Sequence, residues 1–140
     1  MPRRDASALY GAEHIRHYRE TDGEYGHDWR GTSTLLLTTT GRRSGEPRTA
    51  PLIYGTEGDA FLIVASDGGA DRPPGWYANL EREPEVEVQV LGDRFRARAR
   101  AATADERPEM WRQMTSYWPA YDDYQAKTER EIAIVVLERL

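Results

Sequence analysis

Residues 85–91, EVEVQVL, alternate without a break, with Val86, Val88 and Val90 on one side and Glu85, Glu87 and Gln89 on the other. A period of two belongs to a strand with one buried face. Gly92-Asp93 then turns the chain into RFRARARAA, which predicts a hairpin. Upstream, STLLLTTT (33–40), RTAPLIYGT (48–56) and DAFLIVAS (59–66) are rich in β-branched and apolar residues and are separated by turn signals. They read as a three-strand meander, with Pro51 marking an edge or a bulge in its second strand. EIAIVVLE (131–138) closes the chain as a last strand.

Helical spacing occupies the intervals. Residues 5–21 carry Leu9, Ala12, Ile15 and Tyr18 at steps of three, and the glycine-punctuated TDGEYGHDWRG that follows reads as an irregular linker. GWYANLERE (75–83) is a short helix entered through two prolines. Thr103 and Glu106 have capping-box spacing, with Asp105 as a rival cap. Met110, Trp111, Met114, Tyr117 and Trp118 then follow the pattern of a buried helix face until Pro119 breaks it, and a second short segment presents Tyr121 and Tyr124. The predicted class is α+β: about six mainly antiparallel strands forming a small barrel, with short flanking helices. One domain of 140 residues is expected, with 1–28 as N-terminal helix and linker and 29–140 as the barrel.

Composition narrows the chemistry. The apolar runs are strand-sized, far below the roughly 20 residues of a bilayer span, and the N-terminus has no apolar signal-peptide region, so a cytoplasmic protein without integral membrane association is expected. The chain has no cysteine, which removes disulfides, thiolate nucleophiles and thiolate-bound metals, and leaves redox chemistry to a bound cofactor. Net charge is −5, although arginine dominates the basic residues and Lys127 is the single lysine.

Placement of particular arginines is therefore more informative than their number. TTTGRRSGEPR (38–48) sets Arg42, Arg43 and Arg48 around one tight turn with Glu46 as the only acid. Guanidinium groups grip phosphate and carboxylate through paired hydrogen bonds, so the turn is either an anion clamp or a solvated basic hairpin. ASDGGADRPPGWYANL (65–80) ends a strand at Ser66, frees backbone amides at Gly68 and Gly69, and leads into a helix bearing Trp76 and Asn79. It lacks the P-loop Lys-Ser/Thr pair and the GxGxxG fingerprint. Trp118, Tyr121 and Tyr124 recur at steps of three, as core packing or as one wall of a flat-ligand pocket. His14 and His17 have no third ligand nearby, so no metal site is expected. Arg94, Arg96, Arg98 and Arg100 share a strand face with Glu85 and Glu87 opposite, which argues against nucleic acid as a partner.

Taken together, LLLTTTGRRSGEPRTAPLIY, VASDGGADRPPGWYANLEREPEVEVQV and YWPAYDDYQAKTEREIAIVVLE closely resemble the deazaflavin-dependent nitroreductase family of split β-barrel oxidoreductases, over roughly residues 29–140. The resemblance implies an FMN-binding-split-barrel-like fold that binds coenzyme F-420, an 8-hydroxy-5-deazaflavin with a phosphodiester and a polyglutamate tail. It also implies hydride transfer to a flat electrophile such as a quinone, nitro compound or activated alkene. Arg42, Arg43 and Arg48 match the family's basic positions and would clamp the phosphate and tail. Ser66, Gly68 and Gly69 would face the ring, with Trp76 and Asn79 shaping its groove.

On the substrate side the resemblance matches Ser66, Tyr121 and Tyr124 as the catalytic hydroxyls, with Ile53 and Trp118 completing the pocket. Ile53 and Trp118 stand where the nitroimidazole-activating pattern has tyrosines, and Asp67 where it has lysine. The alternatives are an FMN-dependent split-barrel oxidoreductase and a non-catalytic deazaflavin carrier. The expected partner is a small-molecule hydride acceptor. Pairing as a homodimer and peripheral membrane contact, should the acceptor be a lipid quinone, stay open.

Overall fold

The apolar run at 132–137 lacks polar alternation because both of its faces are buried. In the computed structural model, which describes residues 2–140, Val135 and Leu137 face a barrel interior shared with Leu35, Leu37, Ile63 and Val86. Ile134 and Val136 point the other way, into a second cluster with Met110, Met114 and Tyr121. Full burial of a side chain of this size is worth about 1.5–3 kcal/mol. One strand thus ties two cores together.

The strands are β1 (Arg4–Asp5), β2 (Tyr25–Trp29), β3 (Thr32–Thr40), β4 (Pro47–Ile53), β5 (Gly55–Glu57), β6 (Ala60–Val64), β7 (Glu85–Val90), β8 (Asp93–Ala101) and β9 (Ile134–Arg139). The helices are α1 (Gly11–Thr21), α2 (Gly75–Arg82), α3 (Arg107–Tyr117) and α4 (Ala120–Ala126). Sheet order is β1-β2-β3-β7-β8-β9-β6-β5, and β4 pairs with β3. The sheet wraps from β4 round to β6 without closing, which is the split barrel expected within the α+β class. The opening between β4 and β6 is where the candidate site forms. Among the described residues no helix is long and apolar enough to cross a membrane.

Four expectations are corrected. The three-strand meander breaks at Tyr54: β4 hydrogen-bonds only to β3, whereas β6 takes β5 and β9 as neighbours. β9 offers β6 an apolar partner strand, while β4 carries Pro51, which cannot donate on its free edge. Nine strands replace about six, the added ones being the short β1, β2 and β5. The N-terminal helix begins at Gly11 rather than residue 5, because Arg4 and Asp5 are extended and pair with β2 in parallel. Finally, the irregular linker contains β2. Its Gly26 serves packing, since a Cβ there would lie 2.8 Å from the Tyr18 ring.

The buried residues of α1 are His14 and Tyr18, four apart; of the predicted stripe, Tyr18 and the preceding Leu9 are buried, whereas Ala12 is exposed and Ile15 only half-buried. Tyr18 Oη donates to the Thr34 carbonyl at 2.9 Å and accepts from the Leu91 amide at 2.9 Å, so α1 is bolted across β3 and the β7–β8 turn. A hydrogen-bond chain ties the N-terminal unit to the bend after β4. Arg3 Nε and His27 Nδ1 both donate to Asp28 (3.0 and 2.7 Å), and Tyr54 Oη donates to His27 Nε2 at 2.8 Å. Gln89, predicted on the polar face of β7, is buried, with Nε2 donating to the Leu91 carbonyl at 2.9 Å.

The Thr103–Glu106 capping box forms, and Asp105 does not cap. The Glu106 amide donates to Thr103 Oγ1 at 3.2 Å, and the Thr103 amide donates to Glu106 Oε1 at 2.9 Å. Arg100, followed by the Thr103 amide, holds the Glu106 carboxyl down to about 2 from 4.5. A depressed carboxyl stabilises the folded state above its unfolded value and loses that contribution as pH falls through the folded one. Acidification from about pH 4.5 towards 2 should therefore loosen the start of α3, with Glu106→Gln removing this dependence. Hydrogen exchange at the Thr103 and Glu106 amides checks it.

Candidate functional site

The turn between β3 and β4 is closed by two backbone bonds, from the Gly41 amide to the Glu46 carbonyl and from the Gly45 amide to the Gly41 carbonyl, each 2.8 Å. This holds the arginines at fixed positions. Arg42 is anchored: its Nη1 donates to Asn79 Oδ1 at 2.9 Å and to the Gly75 carbonyl at 3.3 Å, and its amide also reaches Asn79 Oδ1 at 3.1 Å. Asn79, buried in α2, uses its amide nitrogen on Thr39 Oγ1 at 3.1 Å. It therefore orients Arg42 while itself bordering the cavity beside the turn.

Arg43 has no carboxylate partner among the described residues, and Arg48 reaches Glu46 only at 3.6 Å. These three arginines, with Trp76 and Gly75 of α2, border a cavity of about 410 Å3. By contrast, Arg94, Arg96, Arg98 and Arg100 are each within salt-bridge range of an acid. Arg43 and Arg48 thus bring guanidinium groups without a close carboxylate partner to the rim of this cavity.

A second cavity, of about 430 Å3, occupies the barrel opening. β4 supplies Leu52 and Ile53, and β6 and its following turn supply Val64, Ser66 and Gly68. Trp118, Tyr121 and Tyr124 come from the α3–α4 corner. The N-terminal unit closes the remaining side with Tyr10, His14 and Trp29. This wall was not legible in the sequence. Aromatic contacts link the two sides: Trp29 and Trp118 are 5.6 Å apart, and Tyr121 and Tyr124 meet edge to face at 6.1 Å.

The hydroxyls differ in availability. Tyr124 Oη accepts from Trp118 Nε1 at 3.3 Å, whereas Tyr121, 5% exposed, has no protein partner for its phenol. Burial, and secondarily Tyr124, pushes the Tyr121 phenol above its ordinary value, so it stays protonated and can donate. Burial pushes His14 the other way and keeps it neutral. Among the described residues no group of three or more His, Asp or Glu could hold a metal ion.

The loop bearing Ser66 is held by a residue the sequence reading missed. Arg130 donates to the carbonyls of Ala65 (3.2 Å), Ser66 (2.9 Å) and Ala70 (2.8 Å), spanning the turn with one guanidinium. Asp67, Gly68 and Gly69 all have positive φ (43°, 65° and 87°), a run that needs such restraint. Gly68 borders the cavity. Gly69 instead lies beneath it, where a Cβ would come 2.6 Å from the Tyr124 carbonyl oxygen, so it lets the loop meet α4. Replacing Arg130 with Ala should cost about 1–3 kcal/mol, since bonds to a charged donor are lost and the part-buried carbonyls of Ala65 and Ser66 are left unpaired. Urea denaturation checks the magnitude, and faster hydrogen exchange at Gly69 and Ala70 checks the location.

Nearly all the residues singled out in the sequence thus converge on two adjoining cavities along β4. Thr49 and Ala50 border the arginine-lined one, and Pro51, Leu52 and Ile53 border the aromatic one. The arrangement can bind an extended ligand with an anionic end and a flat end.

Comparison with known proteins bears on what that ligand is. The model of the F-420H(2)-dependent quinone reductase family matches residues 11–139. The F-420H(2)-dependent quinone reductase Rv1261c of Mycobacterium tuberculosis is 42% identical over 127 residues, covering 87% of this chain and 85% of that protein. A solved F-420-H2 dependent reductase, FDR-A, superposes with a TM-score of 0.70 at 35% identity, covering 78% of this chain and 95% of its own. A chain solved as a domain-swapped dimer gives a TM-score of 0.72 at 34% identity, covering 89% of this chain and 96% of its own.

Proposed function

This chain belongs to the F-420H(2)-dependent quinone reductase family, and from that premise we propose that it reduces a quinone with a hydride from reduced coenzyme F-420, bound along β4. It is an oxidoreductase, and coenzyme F-420 is its cofactor. The observation that carries the reading is the position of β4, which borders an arginine-lined cavity at one end and an aromatic cavity at the other.

The residues fit this coenzyme. Arg42, Arg43 and Arg48 suit a phosphodiester followed by several carboxylates, and three cations are more than the single phosphate of FMN requires. When bound in its reduced form, the deazaflavin supplies a hydride, and one further proton from solvent completes reduction of a quinone to a hydroquinone. The protein's task is orientation and charge stabilisation. Arg42, fixed by Asn79, sets the anionic end. Ser66, held by the loop that Arg130 restrains, presents its hydroxyl in the cavity. Tyr121 and Tyr124 stand on the other wall, where they can donate to an acceptor oxygen as negative charge builds on it. Trp29 and Trp118 exclude water from the ring.

Nitro compounds and activated alkenes are flat two-electron acceptors that the same walls can hold, so they form the second acceptor class. Pairing of two copies is expected by likeness to the domain-swapped relative, and sedimentation measures it.

Fluorescence titration of oxidised F-420 beside FMN at the same salt, followed by mixing bound reduced F-420 with 2-methyl-1,4-naphthoquinone, tests the reading. Saturable binding of F-420 with protein-accelerated oxidation supports it. Preference for FMN moves the chain to flavin chemistry, and binding without acceleration makes it a carrier.

A further inference from the structure

We propose that the acceptor cavity reads a hydroxyl as well as a carbonyl, and that His14 Nδ1 is the hydrogen-bond acceptor that holds it. The inference rests on the quinone-reducing reading above and names the class of acceptor it favours: quinones carrying a neutral hydroxyl substituent.

The Gly26 carbonyl fixes the tautomer of His14. His14 Nε2 lies 2.7 Å from the Gly26 carbonyl oxygen, which can only accept, so Nε2 carries the hydrogen. The groups against the ring are Tyr18 on α1, Gly26 and Trp29 on β2 and Thr34 on β3, none of them anionic. With burial disfavouring the imidazolium as well, Nδ1 is left as a bare lone pair.

That lone pair is available. Nδ1 makes no hydrogen bond within the protein, and Arg107 Nε is the one side-chain polar atom that is both enclosed and unpartnered among the described residues. Nδ1 therefore retains access to open space, and His14 borders the cavity in the barrel opening.

The other polar groups make the cavity two-sided. Thr34 Oγ1 donates its hydrogen to the Gly26 carbonyl at 2.7 Å and has none to offer. Ser66, Tyr121 and Tyr124, from the β6 turn and α4, can each donate. Hydroxyl donors thus stand on one wall and an obligate acceptor on the α1 wall. An unsubstituted quinone presents only acceptors, so nothing on it satisfies His14 Nδ1. A hydroxyl substituent does, while the reducible carbonyl keeps its donors. Sites that hydrogen-bond a ligand hydroxyl discriminate against analogues lacking it.

The test compares 2-hydroxymethyl-1,4-naphthoquinone with 2-methoxymethyl-1,4-naphthoquinone, which keeps the oxygen but not its hydrogen. The full chain is assayed with saturating reduced F-420. Wild type should favour the hydroxymethyl compound by about three- to tenfold in kcat/KM, the range for one neutral hydrogen bond, mainly through KM. His14→Leu should reduce both compounds alike. His14→Gln, whose amide can donate to Gly26 and leave Oε1 as acceptor, should restore the preference.

Coenzyme titration of each protein reports whether the fold is intact, and should His14→Leu fail to fold, the wild-type ratio and His14→Gln still decide. Equal wild-type rates for the two quinones, or a preference that survives in folded His14→Leu, overturn the proposal and leave the quinone reading standing. Reduction of neither quinone by coenzyme-loaded protein overturns both.

Discussion

Arg43→Ala should weaken binding of polyglutamyl F-420 by about ten- to hundredfold, since a hydrogen bond to a charged group is worth about 1.5–3 kcal/mol. Affinity for the coenzyme core lacking the glutamate tail should fall less than about threefold, the scale of a screened surface charge. The contrast follows from how the neighbouring arginines are held. Arg42 is fixed to α2 by Asn79 and the Gly75 carbonyl, and Arg48 shares its charge with Glu46. Arg43 is exposed and has no acid to satisfy it, so an anionic tail is its available partner. Fluorescence titrations of both coenzyme forms, repeated at higher salt, measure the effect. Equal losses for the two forms would remove Arg43 from the tail site. Arg42→Ala should behave differently, weakening both forms and lowering stability, because the buried Asn79 carbonyl loses its charged donor.

Tyr121→Phe should lower kcat by about 10²-fold, the cost of deleting one donor to a developing oxyanion, and leave coenzyme affinity within about twofold on the scale of peripheral contacts. The phenol is buried, kept protonated and without a protein partner, so it is free to meet an acceptor oxygen. Its removal leaves the ring packed among Met114, Ile132 and Ile134. Tyr124→Phe should lower kcat too, and in addition leaves Trp118 Nε1 without its acceptor. Single-turnover oxidation of bound reduced F-420 separates the two roles. A collapse of coenzyme affinity in Tyr121→Phe would instead make this residue part of the coenzyme site.

The tertiary structure assigns different tasks to residues that the sequence grouped together. Arg42, Arg43 and Arg48 look equivalent around one turn, but Asn79, 37 residues after Arg42, distinguishes them. Gly68 and Gly69 look like one amide-bearing pair, yet one borders the cavity and the other makes room for the Tyr124 backbone. Arg130 had no signal beyond its type, because its role depends on carbonyls about 60 residues away. His14 had none that pointed to its place: its spacing from His17 was set aside as a metal site, and its partner is a β2 carbonyl.

The longer strands and the helices were legible in the sequence because those signals are local: a period of two in β7 and β8, unbroken apolarity in β9, and proline and glycine at the boundaries; the short β1, β2 and β5 carry no such signal. The basic turn and the aromatic corner were legible for the same reason, since each lies within about a dozen residues. The opening between β4 and β6, the cavity within it and the polarity of its walls were decided only in three dimensions. They depend on β9 pairing with β6, on α1 being bolted to β3 through Tyr18, and on side chains meeting across long sequence separations, where no local pattern specifies the partner.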